Sequence, residues 1–320
     1  MNGLAELDVD GDGDTDFVAT NQGLNSKYKA DAAHPTGIRF HDFDGNGTRD
    51  LVESKYEGDT LLPVRGRSCS SQAMPFLAQK FPTYEAFARS TLAEIYPAEA
   101  MTAAGKVEAV ELRSVMLRND GKGTFAVEPL DRDCQAAPGW AAATADLDGD
   151  GRLDLLAAQN FFNPEPETGR FAGGLGLLLR GTGTTLQRVA PRTAGLLVPH
   201  DAKGLAVADL DGDRRPDVAL AANDGPLTVL RNAGTAPMLQ VRLRGRQGNP
   251  VAVGARVTAH WPDGRSCVQE VRAGGSFLSQ SSSALWFAAD PVRVTVRWPG
   301  GVATEHAVAA GTPALELQHP

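Results

Sequence analysis

The chain has few aromatic residues and few cysteines. Aromatics make up 6% of its 320 residues, so few side chains are present to form the aromatic-lined pockets of a lectin. The three cysteines, Cys69, Cys134 and Cys267, show no CxxC or other metal-binding spacing. An odd number leaves at least one thiol outside any intramolecular disulfide, and Cys69 with Cys134 is the candidate pair.

Long apolar runs and catalytic signatures are also absent. No apolar run approaches 18 residues, so we expect no membrane span. We find no GxSxG, HExxH or Walker motif, and no GxGxxG in a βαβ setting. The six histidines are scattered, and we interpret His200-Asp201 as a turn pair rather than half of a catalytic dyad. With a net charge of −8 and no basic stripe, we expect no nucleic-acid partner.

A nine-residue acidic pattern occurs four times, and we call the copies loops 1 to 4. Carboxylate or amide oxygens occupy positions 1, 3, 5 and 9, glycine occupies position 4, and glycine occupies position 6 in three copies. These oxygen-bearing residues are Asp8, Asp10, Asp12 and Asp16 in loop 1 (8–16), Asp42, Asp44, Asn46 and Asp50 in loop 2 (42–50), Asp146, Asp148, Asp150 and Asp154 in loop 3 (146–154), and Asp209, Asp211, Asp213 and Asp217 in loop 4 (209–217).

This pattern predicts a cation site in each loop. Two bare carboxylates about 5 Å apart repel by roughly 3 kcal/mol at an effective dielectric constant of about 20. Oxygen-only ligands on a flexible loop favour Ca²⁺ over Mg²⁺ and exclude softer metals. Four divalent ions would also offset the net charge of −8. The backbone carbonyl at position 7 is the natural further ligand, and it belongs to Asp14, Thr48, Arg152 and Arg215.

An EF-hand is the competing interpretation of these loops. Residues 42–53 satisfy the EF-hand formula through Glu53, but the other copies have Ala19, Ala157 and Leu220 at that position. The residues after each loop are β-like, whereas an EF-hand needs a helix on both sides. We therefore reject the EF-hand and expect Glu53 to be a strand residue.

The repeat predicts an all-β chain built from propeller blades. The chain has 35 glycines and 20 prolines but few helix-forming runs, which favours many short strands and turns. Around loop 3 we predict four strands, 140–145, 155–159, 176–180 and 186–190, the content of one propeller blade. Loop 4 predicts three strands. We assign the hairpin 115–118 with 125–127 to the second unit, after an insertion at about 65–105.

That insertion is predicted to be helical. Thr83 is a good N-cap after a proline, and Tyr84, Phe87, Leu92 and Ile95 then share one face of a helix that Pro97 ends. A second short helix follows at 98–104. The helices either pack over a blade edge or form a lid that binds a partner.

The repeats resemble FG-GAP/VCBS repeats, the units of integrin α propellers and of many bacterial surface proteins. The resemblance rests on the four loops and on the phrase from Leu117 to Phe125, and it covers residues 4 to 236. It implies one Ca²⁺ in each loop, up to four structural ions. Arg214 replaces the expected glycine, so the fourth site should be the weakest. Such propellers have about seven blades, so we expect a fragment with an exposed sheet edge, or one that borrows blades.

The C-terminal part resembles the ASPIC/UnbV domain, which follows such repeats in proteins of the cartilage acidic protein family. The resemblance rests on three segments, 249–257, 274–282 and 296–301. Alternating apolar and polar residues predict strands at 239–244, 255–259, 268–271 and 292–298, and hence a β-sandwich. We expect the glycine- and serine-rich tract 274–283 to be a packed turn because it contains Phe277 and Leu278. The predicted domains are 1–236 and 237–320.

Together these features predict a calcium-stabilised binding or adhesion protein that contacts a protein or glycan ligand. We expect an extracellular, cell-surface or periplasmic location and a chain that begins inside a longer protein, because Met1 leads almost at once into loop 1. Two alternatives stay open. One is a carbohydrate-active lyase or hydrolase, which would show His, Tyr and Arg clustered on one face. The other is a lectin.

Overall fold

The computed structural model describes all residues from Met1 to Pro320 and confirms the all-β prediction. Six small sheets, antiparallel except for one strand pair, account for the strands. The strands up to residue 230 are β1 (Gly3–Leu7), β2 (Asp16–Thr20), β3 (Thr36–His41), β4 (Asp50–Glu57), β5 (Thr60–Pro63), β6 (Gly105–Ala109), β7 (Val115–Asn119), β8 (Phe125–Pro129), β9 (Gly139–Ala145), β10 (Asp154–Gln159), β11 (Leu177–Gly181), β12 (Leu186–Arg188), β13 (Ala202–Ala208), β14 (Asp217–Ala222) and β15 (Thr228–Leu230).

The remaining strands and the helices are short. The C-terminal strands are β16 (Met238–Arg244), β17 (Arg256–His260), β18 (Ser266–Glu270), β19 (Leu285–Ala288), β20 (Arg293–Arg297), β21 (Ala303–Ala307) and β22 (Ala314–Gln318). The α-helices are α1 (Arg67–Ala73), α2 (Phe76–Lys80), α3 (Tyr84–Ala88), α4 (Leu92–Ile95), α5 (Ala98–Ala103) and α6 (Pro191–Ala194), and a 3₁₀ turn covers Arg132–Gln135. No helix is long and apolar enough to cross a membrane.

The chain divides into two compact units. Unit 1 comprises Met1–Asn25, Arg113–Pro164 and Arg170–Pro320, and unit 2 comprises Ser26–Leu112 with Glu165–Gly169. Unit 1 contains three blade-like sheets, β1-β2-β7-β8, β9-β10-β11-β12 and β13-β14-β15, in which loops 1, 3 and 4 join the first two strands. The sheets around loops 3 and 4 therefore have the strand content that the sequence predicts.

The first strands of these sheets lie side by side, as inner strands of neighbouring blades do. The Thr144 hydroxyl on β9 donates to the Glu6 carbonyl on β1 at 2.9 Å, and the Thr20 hydroxyl donates to the Trp140 carbonyl at 2.8 Å. Strand β13 also contacts β9. Leu156 of β10 and Leu205 of β13 share one buried cluster between the sheets. This packing places loops 1, 3 and 4 at equivalent ends of three adjacent sheets.

The prediction that the hairpin after the insertion completes the second unit is wrong. This hairpin, β7-β8, pairs with β2 and completes the first sheet. Two contacts fix it there, since the Asp16 carboxylate accepts the Asn119 N–H at 2.8 Å and the Phe17 and Phe125 rings lie 5.7 Å apart. Residues 26–112 are therefore an insertion between two strands of the first blade.

Unit 2 is a four-stranded sheet, β5-β4-β3-β6, with five short helices. Loop 2 joins β3 to β4, and Glu53 lies on β4 as expected. Phe43 and Val52 pack with Leu77, Leu92 and Ile95 from the helices in one core, so the helices cover this sheet.

The single helix predicted after Thr83 is two helices. The Thr83 side chain does cap α3, by accepting the Ala86 N–H at 3.1 Å. The helix ends at Ala88, however, because Thr91 and Glu94 form a capping box that starts α4. Tyr84 is 65% exposed and does not share the buried face.

The C-terminal segment of unit 1 forms the predicted pair of packed sheets, β18-β17-β20-β21 and β19-β16-β22. Val257 and Val296 from the first sheet share a core with Leu239 and Phe287 from the second. The same core includes Leu155 of β10, so this segment and the loop 3 blade are stabilised together.

The serine-rich tract links the C-terminal segment to the blades. Its hydroxyls accept backbone N–H groups of two inner strands, Ser276 from Ala142 at 2.9 Å and Ser279 from Leu205 at 2.9 Å. The Phe277 ring packs 4.8 Å from that of Trp140, so the expected packed turn is present. Leu278 is 83% exposed, however, and does not contribute to it.

The candidate disulfide is wrong, because all three cysteines are free thiols. Cys134 and Cys267 are buried, and burial raises the pKa of each thiol to about 12. The Cys69 thiol donates to the Glu167 carboxylate at 2.8 Å.

Candidate metal centres

The first aspartate organises the backbone of every acidic loop. In loop 3 the two Asp146 oxygens accept the N–H groups of Gly149 at 2.8 Å and Gly151 at 2.9 Å. The equivalent bonds in the other loops measure between 2.7 and 3.1 Å. Both glycines have left-handed φ values near +80°, which L side chains adopt only with strain. The glycines therefore let the chain wrap around one carboxylate.

The last aspartate ties each loop to its sheet. In all four loops one of its oxygens accepts the N–H of position 2, as Asp154 does from Leu147 at 3.0 Å. In unit 1 the other oxygen accepts an N–H at the end of the third strand, at Asn119 (2.8 Å), Gly181 (3.0 Å) or Asn232 (2.7 Å). In unit 1 each acidic loop is therefore hydrogen-bonded to the third strand of its sheet.

Sequence reasoning missed this third-strand contribution, although the sequence carries a signal for it. Each third strand in unit 1 ends in Leu-Arg followed by Asn or Gly, at Leu117–Asn119, Leu179–Gly181 and Leu230–Asn232. Of these three segments, only Leu117–Asn119 lies within the phrase that carries the resemblance to the repeat family.

Three carboxylates converge in every loop. In each, positions 1, 3 and 9 offer one oxygen apiece, and these oxygens all lie within 4.8 Å of one another. The clusters are Asp8, Asp10 and Asp16; Asp42, Asp44 and Asp50; Asp146, Asp148 and Asp154; and Asp209, Asp211 and Asp217. Clusters of this kind, with hard oxygen donors only, could hold a metal ion.

Positions 5 and 7 are placed differently. The position 5 side chains of Asp12, Asn46, Asp150 and Asp213 lie outside these clusters and accept the N–H of position 7 at 2.8 to 3.0 Å. This bond closes the turn, and a metal ligand from position 5 stays a prediction. Metal ligation by the position 7 backbone carbonyls also stays a prediction; these belong to Asp14, Thr48, Arg152 and Arg215.

The fourth loop keeps its geometry despite the missing glycine. Arg214 adopts the left-handed φ of +68°, and its N–H still donates to Asp209 at 3.1 Å. The missing glycine leaves two outcomes, a strained backbone or an opened turn, and the loop takes the first. A strained non-glycine residue of this kind costs of order 1–3 kcal/mol. The weakness of the fourth site stays a prediction.

The loops differ in burial, and loop 3 is the most enclosed. Asp146 is fully buried and Asp154 nearly so, and this burial raises the pKa of each carboxyl to about 7. Burial raises the pKa of Asp8 and Asp50 as well. In loop 2 the backbone N–H groups, chiefly that of Gly47, lower the pKa of Asp42. A bound cation or proton should therefore stabilise the carboxylates of loop 3 more than those of the other loops.

Stability should consequently depend on pH in a way that calcium reverses. Without an ion, folded Asp146 and Asp154 keep protons up to about pH 7, whereas their ordinary pKa is 3.8. The native state then binds more protons than the unfolded state, so the free energy of unfolding should fall as pH rises from about 4 to about 7. We expect this fall in chelator and not in excess calcium, by urea unfolding at about pH 5 and pH 7.5. A chelated protein that is more stable at the higher pH would contradict the assignment.

Arginines at the ends of the third strands face the loops. The Arg118 guanidinium lies 2.6 Å from Asp10, that of Arg180 lies 2.8 Å from Asp148, and that of Arg231 lies 2.5 Å from Asp211. Each pairs with position 3 of the loop in its own sheet. Loop 2 has no such partner, because its third strand, β5, contains no arginine.

A separate polar pocket of about 220 Å³ lies in unit 1. The pair His200-Asp201, which the sequence predicts to be in a turn, lies directly before β13. Both residues line the pocket. The lining residues with polar or aromatic side chains are Phe162, Asn163, Arg170, His200, Asp201, Asn223 and Asp224.

Asn160 connects the chain segments around this pocket by hydrogen bonds. Its side-chain amide donates to the carbonyls of Gly174 and His200, both at 2.9 Å. Its own carbonyl accepts the Trp140 indole N–H at 2.7 Å and the Lys203 ammonium at 2.6 Å. Asn160 is fully buried and has a φ of +91°, a strained conformation that these bonds maintain. Lys203 also pairs with buried Asp201 at 2.6 Å.

Family comparisons match two parts of the chain. Residues 138–174, which include loop 3, match the FG-GAP repeat, and residues 245–320 match the family described as ASPIC and UnbV. No curated protein matches the chain significantly.

Two solved structures are weakly similar. The V. cholerae biofilm matrix protein Bap1 has 12% identity and a TM-score of 0.20, over 91% of this chain and 62% of that one. The major pilin subunit BcpA of Bacillus cereus has 8% identity and a TM-score of 0.17, over 94% and 97%. Scores this low carry no argument about fold or function.

Proposed function

We propose that this chain, an FG-GAP repeat protein with a C-terminal ASPIC/UnbV domain, is a calcium-stabilised extracellular or periplasmic binding protein. Loops 1 to 4 would each hold one structural Ca²⁺, and the blades would present a surface to a protein or glycan. The observation that carries the proposal is the convergence of three carboxylates in every loop. We also propose the domain division 1–236 and 237–320, with the helical insertion at about 65–105.

The residues fit a calcium ion by their chemistry. The donors are carboxylate oxygens, and their backbone hydrogen bonds leave them oriented toward one point in each loop. Positions 1, 3, 5 and 9 would bind the ion, and the position 7 carbonyl would add a ligand. An ion there would remove the carboxylate repulsion and hold three strands of a blade together.

The polar pocket is the site that we propose for ligand contact, and a sugar suits it. Its volume of about 220 Å³ is below the usual range of about 300–1,000 Å³ for larger ligands, so it suits one sugar ring. Arg170 stacks 3.7 Å from the Phe162 ring, which fixes the guanidinium without a carboxylate partner. Asn223 and Asp224 supply an amide and a carboxylate for hydroxyl groups.

A screen of glycans and proteins against the calcium-loaded chain tests this proposal. We expect a ligand whose binding falls at least about tenfold in Arg170→Ala, equivalent to roughly 1.4 kcal/mol. Arg89→Ala is the matched control, since Arg89 is an exposed arginine that pairs only with Glu85. Binding that is indifferent to Arg170 would remove the pocket from the proposal. Turnover of a bound glycan would instead favour the carbohydrate-active enzyme.

A further inference from the structure

We propose that Arg118, Arg180 and Arg231 are built-in counter-ions that neutralise loops 1, 3 and 4 when no cation is bound. In this role they keep the ion-free loops folded and lower their affinity for calcium. The inference rests on the proposed function, since it concerns the regulation of the same loops.

The arrangement of arginine and acidic loop occurs three times. Each arginine is the next-to-last residue of a third strand or follows it directly, and each reaches the position 3 aspartate of its own loop at 2.5 to 2.8 Å. In the same sheets the residue after the arginine donates its N–H to the last aspartate. Two neighbouring residues thus bind two of the three converging carboxylates. The arginine does so through an ion pair, and the next residue through its backbone N–H.

The third-strand arginines occur beside the loops that contain the most carboxylates. Loop 1 contains five carboxylates and loops 3 and 4 contain four each, whereas loop 2 contains three and has Asn46 at position 5. Loop 2 is the loop without a third-strand arginine. Arg65, which follows β5, pairs with Glu53 at 3.0 Å and Glu167 at 3.2 Å instead. The third-strand arginines therefore accompany the loops that have the most carboxylates, and in loops 3 and 4 they add to Arg152 and Arg215, which pair with the position 5 aspartates at 3.2 and 3.5 Å.

The three arginines differ in how firmly they are held. Arg118 also contacts Glu128 at 2.9 Å and the Thr184 carbonyl at 2.8 Å, and its acidic partners Glu128 and Asp10 raise its pKa. Its position is therefore fixed whether or not an ion is present. Arg180 and Arg231 are more than half exposed, so solvent screens their charge. We expect Arg118 to have the largest effect.

Two consequences follow from a fixed positive charge beside a cation site. The guanidinium attracts the carboxylates in the ion-free protein, so removing it should destabilise that state. It also repels an incoming divalent ion and shares an aspartate with it, so removing it should strengthen calcium binding. A residue that merely oriented Asp10 for the metal would weaken calcium binding when removed. The sign of the change in affinity therefore separates the two roles.

The variants Arg118→Gln, Arg180→Gln and Arg231→Gln test the inference, because glutamine keeps hydrogen-bonding groups without the charge. We expect Arg118→Gln to bind calcium about tenfold more tightly at the altered loop, by calorimetric titration of chelator-treated protein with CaCl₂. Its melting temperature should fall by several degrees in chelator and stay near that of the wild type in saturating calcium. Arg293→Gln is the control, since Arg293 forms an exposed pair with Glu305 at 3.1 Å on the C-terminal sheet.

Three outcomes would overturn the inference. Weaker calcium binding in the arginine variants would make these residues supports for the ligands. Unchanged affinity together with an unchanged melting temperature in chelator would leave them with no role in the loops. A wild-type chain that binds no calcium would overturn the proposed function along with this inference, whereas the first two outcomes leave the proposed function intact.

Discussion

Chelation should lower the melting temperature of this protein by about 5–10 °C for each calcium site that is well loaded beforehand. An ion that binds only the native state at a concentration of about 100 times its Kd stabilises that state by roughly 2.7 kcal/mol. One kcal/mol corresponds to about 2–4 °C for a domain of this size. With four clusters of three converging carboxylates, the combined loss should be among the largest effects on this chain.

The measurement is a thermal melt with and without chelator, at matched ionic strength. Adding back Ca²⁺ should restore the transition, and Mg²⁺ at the same concentration should restore it less, because a flexible loop of oxygen ligands suits the larger ion. A melt that chelator leaves unchanged would count against structural calcium. Full restoration by Mg²⁺ alone would count against calcium as the preferred ion.

The substitution Asp154→Ala should cost roughly 2–5 kcal/mol of unfolding free energy. Asp154 is buried and accepts the N–H groups of Leu147 and Gly181, both at 3.0 Å. Removing the carboxylate leaves the N–H groups of buried Gly181 and half-buried Leu147 unsatisfied, each worth up to about 1–3 kcal/mol. It also separates loop 3 from the end of β11, and thereby loosens the blade that matches the FG-GAP repeat.

Asp50→Ala is the matched control for that substitution. Asp50 occupies the same position in loop 2, but it is only half-buried and accepts one N–H, that of Phe43, at 3.1 Å. We expect a loss of about 1 kcal/mol there in the absence of calcium. Urea unfolding of both variants in chelator compares them without a contribution from the ion. Equal losses would refute the claim that the last aspartate acts through the third strand.

The acidic loops could be predicted from the sequence because each depends on nine consecutive residues. Oxygen-bearing side chains at odd positions and glycines at positions 4 and 6 determine the turn locally. At the exception, Arg214, the sequence allowed either a left-handed backbone or an opened turn, and only the structure shows that the backbone is left-handed. The strands beside loops 3 and 4 followed from the same local patterns.

The parts that could not be predicted depend on contacts between distant residues. The hairpin β7-β8 belongs to the first sheet although it follows the second in sequence, because Asp16 and Phe17 bind it across an insertion of 87 residues, 26–112. The counter-charges were missed for the same reason, since Arg118 and Asp10 are 108 positions apart. The polar pocket likewise joins segments near residues 160, 200 and 223.

The calcium content of the purified chain tests the central claim most directly. Equilibrium dialysis against a calcium buffer, followed by measurement of bound calcium and protein, gives the number of ions per chain. The four carboxylate clusters predict four Ca²⁺ per chain, and three when one cluster is disrupted by Asp146→Ala with Asp148→Ala. A content near zero, or one that this double substitution leaves unchanged, would contradict the claim.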